Sequence, residues 1–320
     1  MVPALKRHSF SRRHALRACG AAALLASARP AISQSLPIVR VGASFDEGLT
    51  PVLYGMQSGI FTRHGVAVEL HTATSGAALA SAVAGGSIDI AKSSLMALIA
   101  AHSRGVYFKI IAASALHLAG VPTNDILVPR DSPIRSGADA NGKTVGVLAL
   151  GSLDVIGVST YVDTHGGNSA TLKFIELPFT AMVPALQQGR IDLATVANPT
   201  MTAAIESGMV RVLAVTYDAV AKRFLLGAWF STQEYVQKNL DVAQRFREAE
   251  QQAAAYTNSH HEETVPILAA YAKIDPEVIR KMTRDVNGTA IDPNEIQIVI
   301  DAAARYKLIN ERFSARDFLI

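Results

Sequence analysis

Short β-branched runs alternate along this chain with Ala-rich helical stretches, the rhythm of strand-helix units built around mainly parallel sheets, so the fold class is α/β. Ile38-Val39-Arg40-Val41-Gly42 reads as a strand, and the loop from Ser44 to Thr50 leads into a helix over roughly 51–58, where Pro51 suits a first turn. Val66 to Leu70 alternates as a strand. Thr74-Ser75-Gly76 offers an N-cap for a helix from Ala77 to Ala84, Gly85-Gly86 ends it, Ile88-Asp89-Ile90-Ala91 is a buried strand, and Ser93-Ser94 caps another helix.

The arrangement recurs about a hundred residues later. Thr144-Val145-Gly146-Val147 echoes Arg40-Val41-Gly42-Ala43, Glu176-Leu177 echoes Glu69-Leu70, the helix around Met182 to Gln187 echoes that around Leu79 to Ala84, and Gly189-Arg190-Ile191-Asp192-Leu193-Ala194 echoes Gly86-Ser87-Ile88-Asp89-Ile90-Ala91. A strand-helix-strand unit used twice implies two similar lobes with a ligand cleft between them. The extended segment Asp125 to Pro129 is expected to cross into the second lobe, and Phe224-Leu225-Leu226-Gly227-Ala228-Trp229-Phe230 to cross back, making a two-strand hinge. This assigns 34–127 with 225–320 to lobe 1 and 128–224 to lobe 2. From Ser231 onward the pattern is helical, with Ser231-x-x-Glu234 as a capping box and Asp275-Pro276 and Asp292-Pro293 as helix starts, and these helices are expected to buttress lobe 1.

Charge changes the picture only at the front. Residues 1–33 hold Lys6, Arg7, Arg12, Arg13, Arg17 and Arg29 and no acid, so without them the net charge of +3 becomes −3, with 24 bases against 27 acids. The basic balance therefore carries no argument for nucleic acid. A basic stretch to Arg17, an apolar run from Ala18 to Ala28 and small residues around Ala28 and Ser33 read as a cleaved signal peptide, residues 1–33. The run is about half the ~20 residues a membrane span needs, so no stable membrane insertion is expected. Ser11-Arg12-Arg13-His14-Ala15-Leu16-Arg17 resembles the twin-arginine export signal, with Ala15 where an aromatic residue usually stands; ordinary secretion is the other route. Cys19, the sole cysteine, would be lost with the signal, and a cysteine-free mature chain excludes disulfides, thiolate catalysis and Cys-bound metals.

Ser75-Gly76-Ala77-Ala78, Gly85-Gly86-Ser87-Ile88-Asp89-Ile90 and Asn141-Gly142-Lys143-Thr144-Val145, in that order, resemble the ABC-transporter substrate-binding proteins of the nitrate, sulfonate, taurine and thiamine-precursor group, the SsuA/THI5-like or NMT1 family. The resemblance runs from Ile38 to the C-terminus. It implies a type II periplasmic binding protein fold, lobe closure on a small-molecule ligand, a monomer in the periplasm, docking onto an ABC permease with a cytoplasmic ATPase, and no chemistry on the ligand, hence no catalytic residue and no cofactor.

In doubly wound sheets, ligands sit beyond the carboxyl ends of the strands, where loops enter helix N-termini. Here those loops are Ser44 to Thr50, Thr74-Ser75-Gly76, Ser93-Ser94, Leu150-Gly151-Ser152 and Asn198-Pro199-Thr200. Each taken singly reads first as an ordinary cap; together, at equivalent points of both lobes, they favour a small organic anion, sulfonate-like or carboxylate-like, or a small heterocycle. By position in the resemblance, Ser75, Gly76, Ser94, Gly151, Ser152 and Asn198 are the ligand contacts, with Ser44 and Thr200 in the same loops. Many relatives carry Glu-Pro where this chain has Asn198-Pro199, so a carboxylate for a cationic group is missing there. Phe45 can supply an apolar wall, Asp46 and Glu47 read as rim charges or as contacts to hydroxyl or amino groups, and Trp229 either stacks over a ligand or fills the core.

Other classes find less support. Relatives of this fold that make a pyrimidine use a cysteine-rich iron motif, which a mature chain without cysteine lacks. His260-His261-Glu262-Glu263 has no His-Glu-x-x-His spacing and reads as a solvated helix start, and no Gly-x-Ser-x-Gly elbow or phosphate loop is present, leaving metal sites unassigned. A sensory binding protein would need the same clamp as an importer component.

Overall fold

The computed structural model describes residues 1, 36–44, 46–73 and 76–320. The export signal expected at 1–33, with Cys19, lies outside the described residues, as do Phe45, Thr74 and Ser75. Among the described residues no helix is long and apolar enough to cross a membrane.

The strands are β1 (Ile38–Ala43), β2 (Ala67–Thr72), β3 (Ile90–Ser94), β4 (Phe108–Ala113), β5 (Ala115–Leu118), β6 (Asn124–Pro129), β7 (Thr144–Val147), β8 (Lys173–Glu176), β9 (Leu193–Ala197), β10 (Val210–Val215), β11 (Arg223–Leu225), β12 (Gly227–Thr232) and β13 (Val286–Asn287). They form two five-stranded sheets, ordered β2-β1-β3-β12-β4 and β8-β7-β9-β6-β10, and a small ribbon β11-β5-β13. In each large sheet the first strand of the repeated unit, β1 or β7, pairs parallel with both neighbours, and the third, β3 or β9, takes an antiparallel strand on its other edge, β12 in lobe 1 and β6 in lobe 2.

The repeated Gly-x-Ile-Asp signature has a structural cause. Asp89 N–H donates to the Arg40 carbonyl at 2.9 Å and its carboxylate accepts from Arg40 N–H at 2.8 Å; in lobe 2, Asp192 does the same with Thr144, at 2.8 and 2.9 Å. Each aspartate thus stitches the third strand of its lobe to the first. Two residues further along the first strand, Gly42 and Gly146 leave room for the isoleucine of the same signature. An added Cβ would come within 3.0 Å of Ile88 Cγ2 and 2.7 Å of Leu79 Cδ2 in lobe 1, and 2.8 Å of Ile191 Cδ1 in lobe 2.

Several expected boundaries move. β6 lies wholly inside the second sheet, between β9 and β10, so Asp125 to Pro129 is not the crossing; the chain changes lobe between β5 and β6 and returns through β11, which pairs antiparallel with β5. Lobe 2 therefore takes in all of β6. Periodicity could not show this, because a fully buried strand reads alike in either sheet. β3 begins at Ile90 rather than Ile88, since Asp89 is spent on the stitch and Ser93-Ser94 closes the strand itself. The capping box at Ser231 is displaced too: Ser231 Oγ donates to the Asp89 carbonyl at 2.5 Å, and Thr232 caps the next helix by accepting from Tyr235 N–H at 3.0 Å. Asp275 and Asp292 cap their helices as expected, accepting from Glu277 N–H and Asn294 N–H at 2.9 and 2.8 Å.

The C-terminal helices buttress lobe 1. Ala243, Phe246, Ala249 and Ala253, on one face of the helix Leu240–Thr257, pack against Val39, Val41, Ile111 and Trp229 from the sheet. The other side of the lobe-1 sheet is covered by the helices Gly76–Ala84 and Leu95–Ser103, and Ile296, Val299 and Ile300 of the helix Pro293–Arg305 join the same core, which also takes in Leu153 and Ile156 from lobe 2. Hydrophobic burial of this extent on both faces holds the sheet as a rigid platform.

Candidate functional site

Between the two sheets lies a cavity of about 420 Å3, lined from both lobes at the ends of the strands. Lobe 1 contributes Asp46 and Glu47 after β1, Lys92 to Ser94 on β3, and Ser114 after β4; lobe 2 contributes Asn124 at the start of β6, Phe179 beyond β8, Asn198 to Thr200 after β9, and Tyr217 beyond β10. The C-terminal segment supplies Leu268, Ile274, Ile279, Met282 and Asp285. Its volume falls within the range of small-molecule pockets.

The lobe-1 end is charged. Lys92, 4% exposed, would be an anomaly in a buried strand but donates to Asp46 Oδ1. Glu47 and Arg284, with side chains 11% and 7% exposed, form an ion pair, and Arg284 Nη2 also reaches Thr264 Oγ1 at 3.1 Å. Burial pushes the Glu47 carboxyl up, while the Arg284 guanidinium pulls it down. Asp285, only partly exposed, is pushed up to about 8 by burial and by the nearby carboxylates of Glu47 and Asp46. The loop that brings Asp46 and Glu47 here is tight: Ser114 Oγ donates to the Gly48 carbonyl at 3.2 Å, and a Cβ on Gly48 would meet Ser114 Oγ at 2.9 Å.

The lobe-2 wall is polar but internally satisfied. Tyr217 Oη and Asn124 Nδ2 donate to Asp154 Oδ1 at 2.7 and 3.2 Å, and Thr216 Oγ1 donates to Asn124 Oδ1 at 2.8 Å. Burial raises both the Asp154 carboxyl and, well above its ordinary range, the Tyr217 phenol. Such a closed network makes a stiff surface rather than a reactive one.

Of the residues named from sequence, Ser94, Asn198 and Thr200 line the cavity. Ser94 caps the helix Leu95–Ser103, its Oγ accepting from Ala97 N–H at 3.3 Å. The side chain of Asn198 is engaged across the cleft, donating to the Thr283 carbonyl at 2.9 Å while its Oδ1 accepts from Thr202 Oγ1 at 2.7 Å. Gly76 stands behind the lining, its missing Cβ 3.1 Å from Ser93 Oγ, and Ser44, the residue after β1, is not part of the cavity wall. Gly151 and Ser152 do not line it: Gly151 is exposed with open space where a Cβ would go, and Ser152 Oγ turns toward Asp154 Oδ2 at 3.4 Å. Phe45 and Ser75 lie outside the described residues.

Two sequence expectations are corrected. Trp229 is fully buried in the lobe-1 core, with Nε1 donating to Glu250 Oε1 at 3.2 Å, so it cannot stack over a ligand; alternation on β12 turns its ring to the helix side of the sheet. Glu47 is no rim charge but half of a buried ion pair. Sequence reasoning missed Lys92, Arg284 and Asp285. Lys92 left one signal, a lone cation inside an otherwise apolar and hydroxyl strand; Arg284 and Asp285 left none, since Glu47, the ion-pair partner of Arg284 and a close neighbour of Asp285, is more than two hundred residues away.

With this geometry in place, comparison with known proteins is informative. The family description NMT1/THI5 like matches residues 46–264. The chain belongs to the NMT1/THI5-like family. A curated relative from Brucella abortus (strain 2308), named as a binding protein, is 24% identical over 269 residues, 83% of this chain and 80% of its own. The periplasmic aliphatic sulphonate binding protein SsuA from Escherichia coli superposes with a TM-score of 0.73 at 21% identity, covering 89% of this chain and 92% of that one. The periplasmic nitrate-binding protein NrtA from Synechocystis PCC 6803 follows the same fold, with a TM-score of 0.67 at 15% identity and coverage of 86% and 83%. The type II periplasmic binding protein fold implied by the sequence is therefore that of this NMT1/THI5-like chain.

Proposed function

We propose that this NMT1/THI5-like protein is the solute-binding component of an ABC importer: exported to the periplasm through the signal at 1–33, it captures one small organic molecule by closure of its lobes and passes it to a permease driven by a cytoplasmic ATPase. The observation that carries the reading is the cavity of about 420 Å3 lined from both lobes at the ends of their strands, with the chain crossing between lobes only beside β5 and β11. Two thin crossings permit hinge motion, while each lobe moves as a packed unit. The relatives' printed names, binding proteins for sulphonate and nitrate, point the same way. Among the described residues nothing in the cavity pairs a nucleophile with a base, and Tyr217, Asn124 and Asp154 satisfy one another, which favours binding over catalysis.

The test is small-angle scattering on the protein stripped of retained ligand by unfolding and refolding, then given back the small-molecule fraction released in that step. A drop in radius of gyration on addition supports the clamp; unchanged dimensions with that fraction bound would overturn it. Pull-down of a permease by the loaded protein separates import from sensing.

A further inference from the structure

The loops expected to receive an anion are split, because Gly151 and Ser152 stand away from the cavity while the acids of lobe 1 line it. Both cations at that end are committed: Lys92 to Asp46, and Arg284 to Glu47 and Thr264. Asp285 remains. Among the described residues its carboxylate receives no hydrogen bond and no ion pair, so three carboxylates face two cations. An oxyanion entering here would have to displace one of the pairs or lie against the Asp46 and Glu47 carboxylates, at a cost that grows as water is excluded. A cation would do the reverse. It would take the place of the proton that burial and the carboxylates of Glu47 and Asp46 hold on Asp285, whose pKa is pushed up to about 8.

Another part of the lining has different chemistry. Phe179, Leu268, Ile274, Ile279 and Met282 present an apolar surface with no donor or acceptor of their own. A ligand complementary to both parts has a charged head and an apolar body.

We infer that the cavity takes a small cation of the ammonium or amidinium class, its head set against Asp285 beside the Lys92–Asp46 and Arg284–Glu47 pairs and its body along Phe179, Ile279 and Met282. The carboxylate that is absent at Asn198 is thereby supplied from the C-terminal segment. This deepens the solute-clamp reading and rests on it.

The test is titration calorimetry on the stripped, refolded protein with four probes that share a phenyl body: benzamidine, benzylamine, benzoate and benzenesulfonate. Benzamidine or benzylamine is expected to bind, and Asp285→Asn to weaken that binding at least tenfold while the variant still melts cooperatively. Benzoate and benzenesulfonate are expected to bind at least tenfold more weakly than either cation. Tighter binding of benzenesulfonate than of both cations, unchanged benzamidine affinity in Asp285→Asn, or no binding of either cation at millimolar concentration would each overturn the inference. Tight benzenesulfonate binding with compaction would leave the clamp standing and remove only the cation; loss of ligand-dependent compaction would remove the clamp itself.

Discussion

Lobe 1 and lobe 2 are two uses of one frame, and they differ where the frame meets the cavity. In both, an aspartate stitches the third strand to the first, a glycine admits the isoleucine before it, and an antiparallel strand completes the sheet. After the first strand they diverge. The loop following β1 carries Asp46 and Glu47 into the cavity, whereas the loop following β7 leaves Leu148 and Leu150 about half exposed and ties Leu150 N–H to Glu176 Oε1 at 2.8 Å, outside the lining. At the end of the third strand lobe 1 offers Lys92, Ser93 and Ser94, while just beyond it lobe 2 offers Asn198, already bonded to Thr283. Backbone stitching is common to both copies because any such sheet needs it, whereas the ion pairs that line the cavity sit in one copy alone among the described residues.

The largest effect that bears on this comparison is expected at Trp229, which belongs to the lobe-1 frame. Trp229→Ala removes a fully buried indole and strips Glu250 of its donor, so denaturant unfolding should show a loss of about 3–5 kcal/mol, with ligand affinity of the folded fraction unchanged. A large affinity loss without a stability loss would return Trp229 to the site.

Next are the stitches. Asp89 also receives Arg40 Nε and Nη2 at 3.0 and 2.5 Å, whereas the further partner of Asp192 is Lys143 at 3.7 Å on a surface where both side chains are about 40% exposed. Asp89→Asn should therefore cost about 1.5–3 kcal/mol and Asp192→Asn about 1 kcal/mol in matched urea melts. Equal losses would mean that the two stitches carry the same weight despite their different surroundings.

The pH dependence of the unliganded protein separates the lobes more finely. Asp285, on the lobe-1 side, has a folded pKa near 8 and Asp125, in lobe 2, near 6, both above the ordinary 3.8. A carboxyl raised on folding holds its proton longer in the native state, so its contribution is intact below the unfolded value and stability falls as pH rises through the folded one. Between about pH 7 and 8 Asp285 contributes to the decline together with the buried carboxyls of Glu250 and Asp154, which burial also raises, whereas Asp125 has by then ionised and burial lowers His102, His117 and His261 below their ordinary range. Thermal melts of Asp285→Asn should show a shallower decline over this range and lie a few degrees above wild type at pH 8; an unchanged slope would place the burden elsewhere. The smallest effect is expected at Gly151→Ala, within about 0.5 kcal/mol and with unchanged ligand affinity by calorimetry, because open space surrounds the site. A lost ligand would show that the loop after β7 joins the cavity on closure.

Much of the frame was legible along the chain. The repeat Gly-x-Ile-Asp, the helix starts at Asp275 and Asp292 and the apolar strands all express local rules, in which a residue's partner lies within its own turn or on the adjacent strand of one repeating unit. The boundaries that moved are those where local rules were outvoted. Ser231 had the right spacing for a capping box, yet its hydroxyl was recruited by the Asp89 carbonyl from another strand. Of the site, Ser94, Asn198 and Thr200 were legible as strand-end residues, but whether a strand-end loop faces the cavity depends on how the lobes oppose, as Gly151 and Ser152 show.

By itself, then, the sequence determined a doubled α/β plan, the strands and caps that build it and a basic, apolar leader that reads as an export signal, all set by periodicity and short-range hydrogen bonding. Only the tertiary structure decided which side of the sheet Trp229 faces, which sheet receives β6, and that Lys92, Glu47, Arg284 and Asp285 meet at one end of the cavity. The reason is physical. A charge inside a cleft takes its meaning from its neighbours at a few ångströms, and for Glu47 and Arg284 that neighbour lies on the far side of the fold's closure.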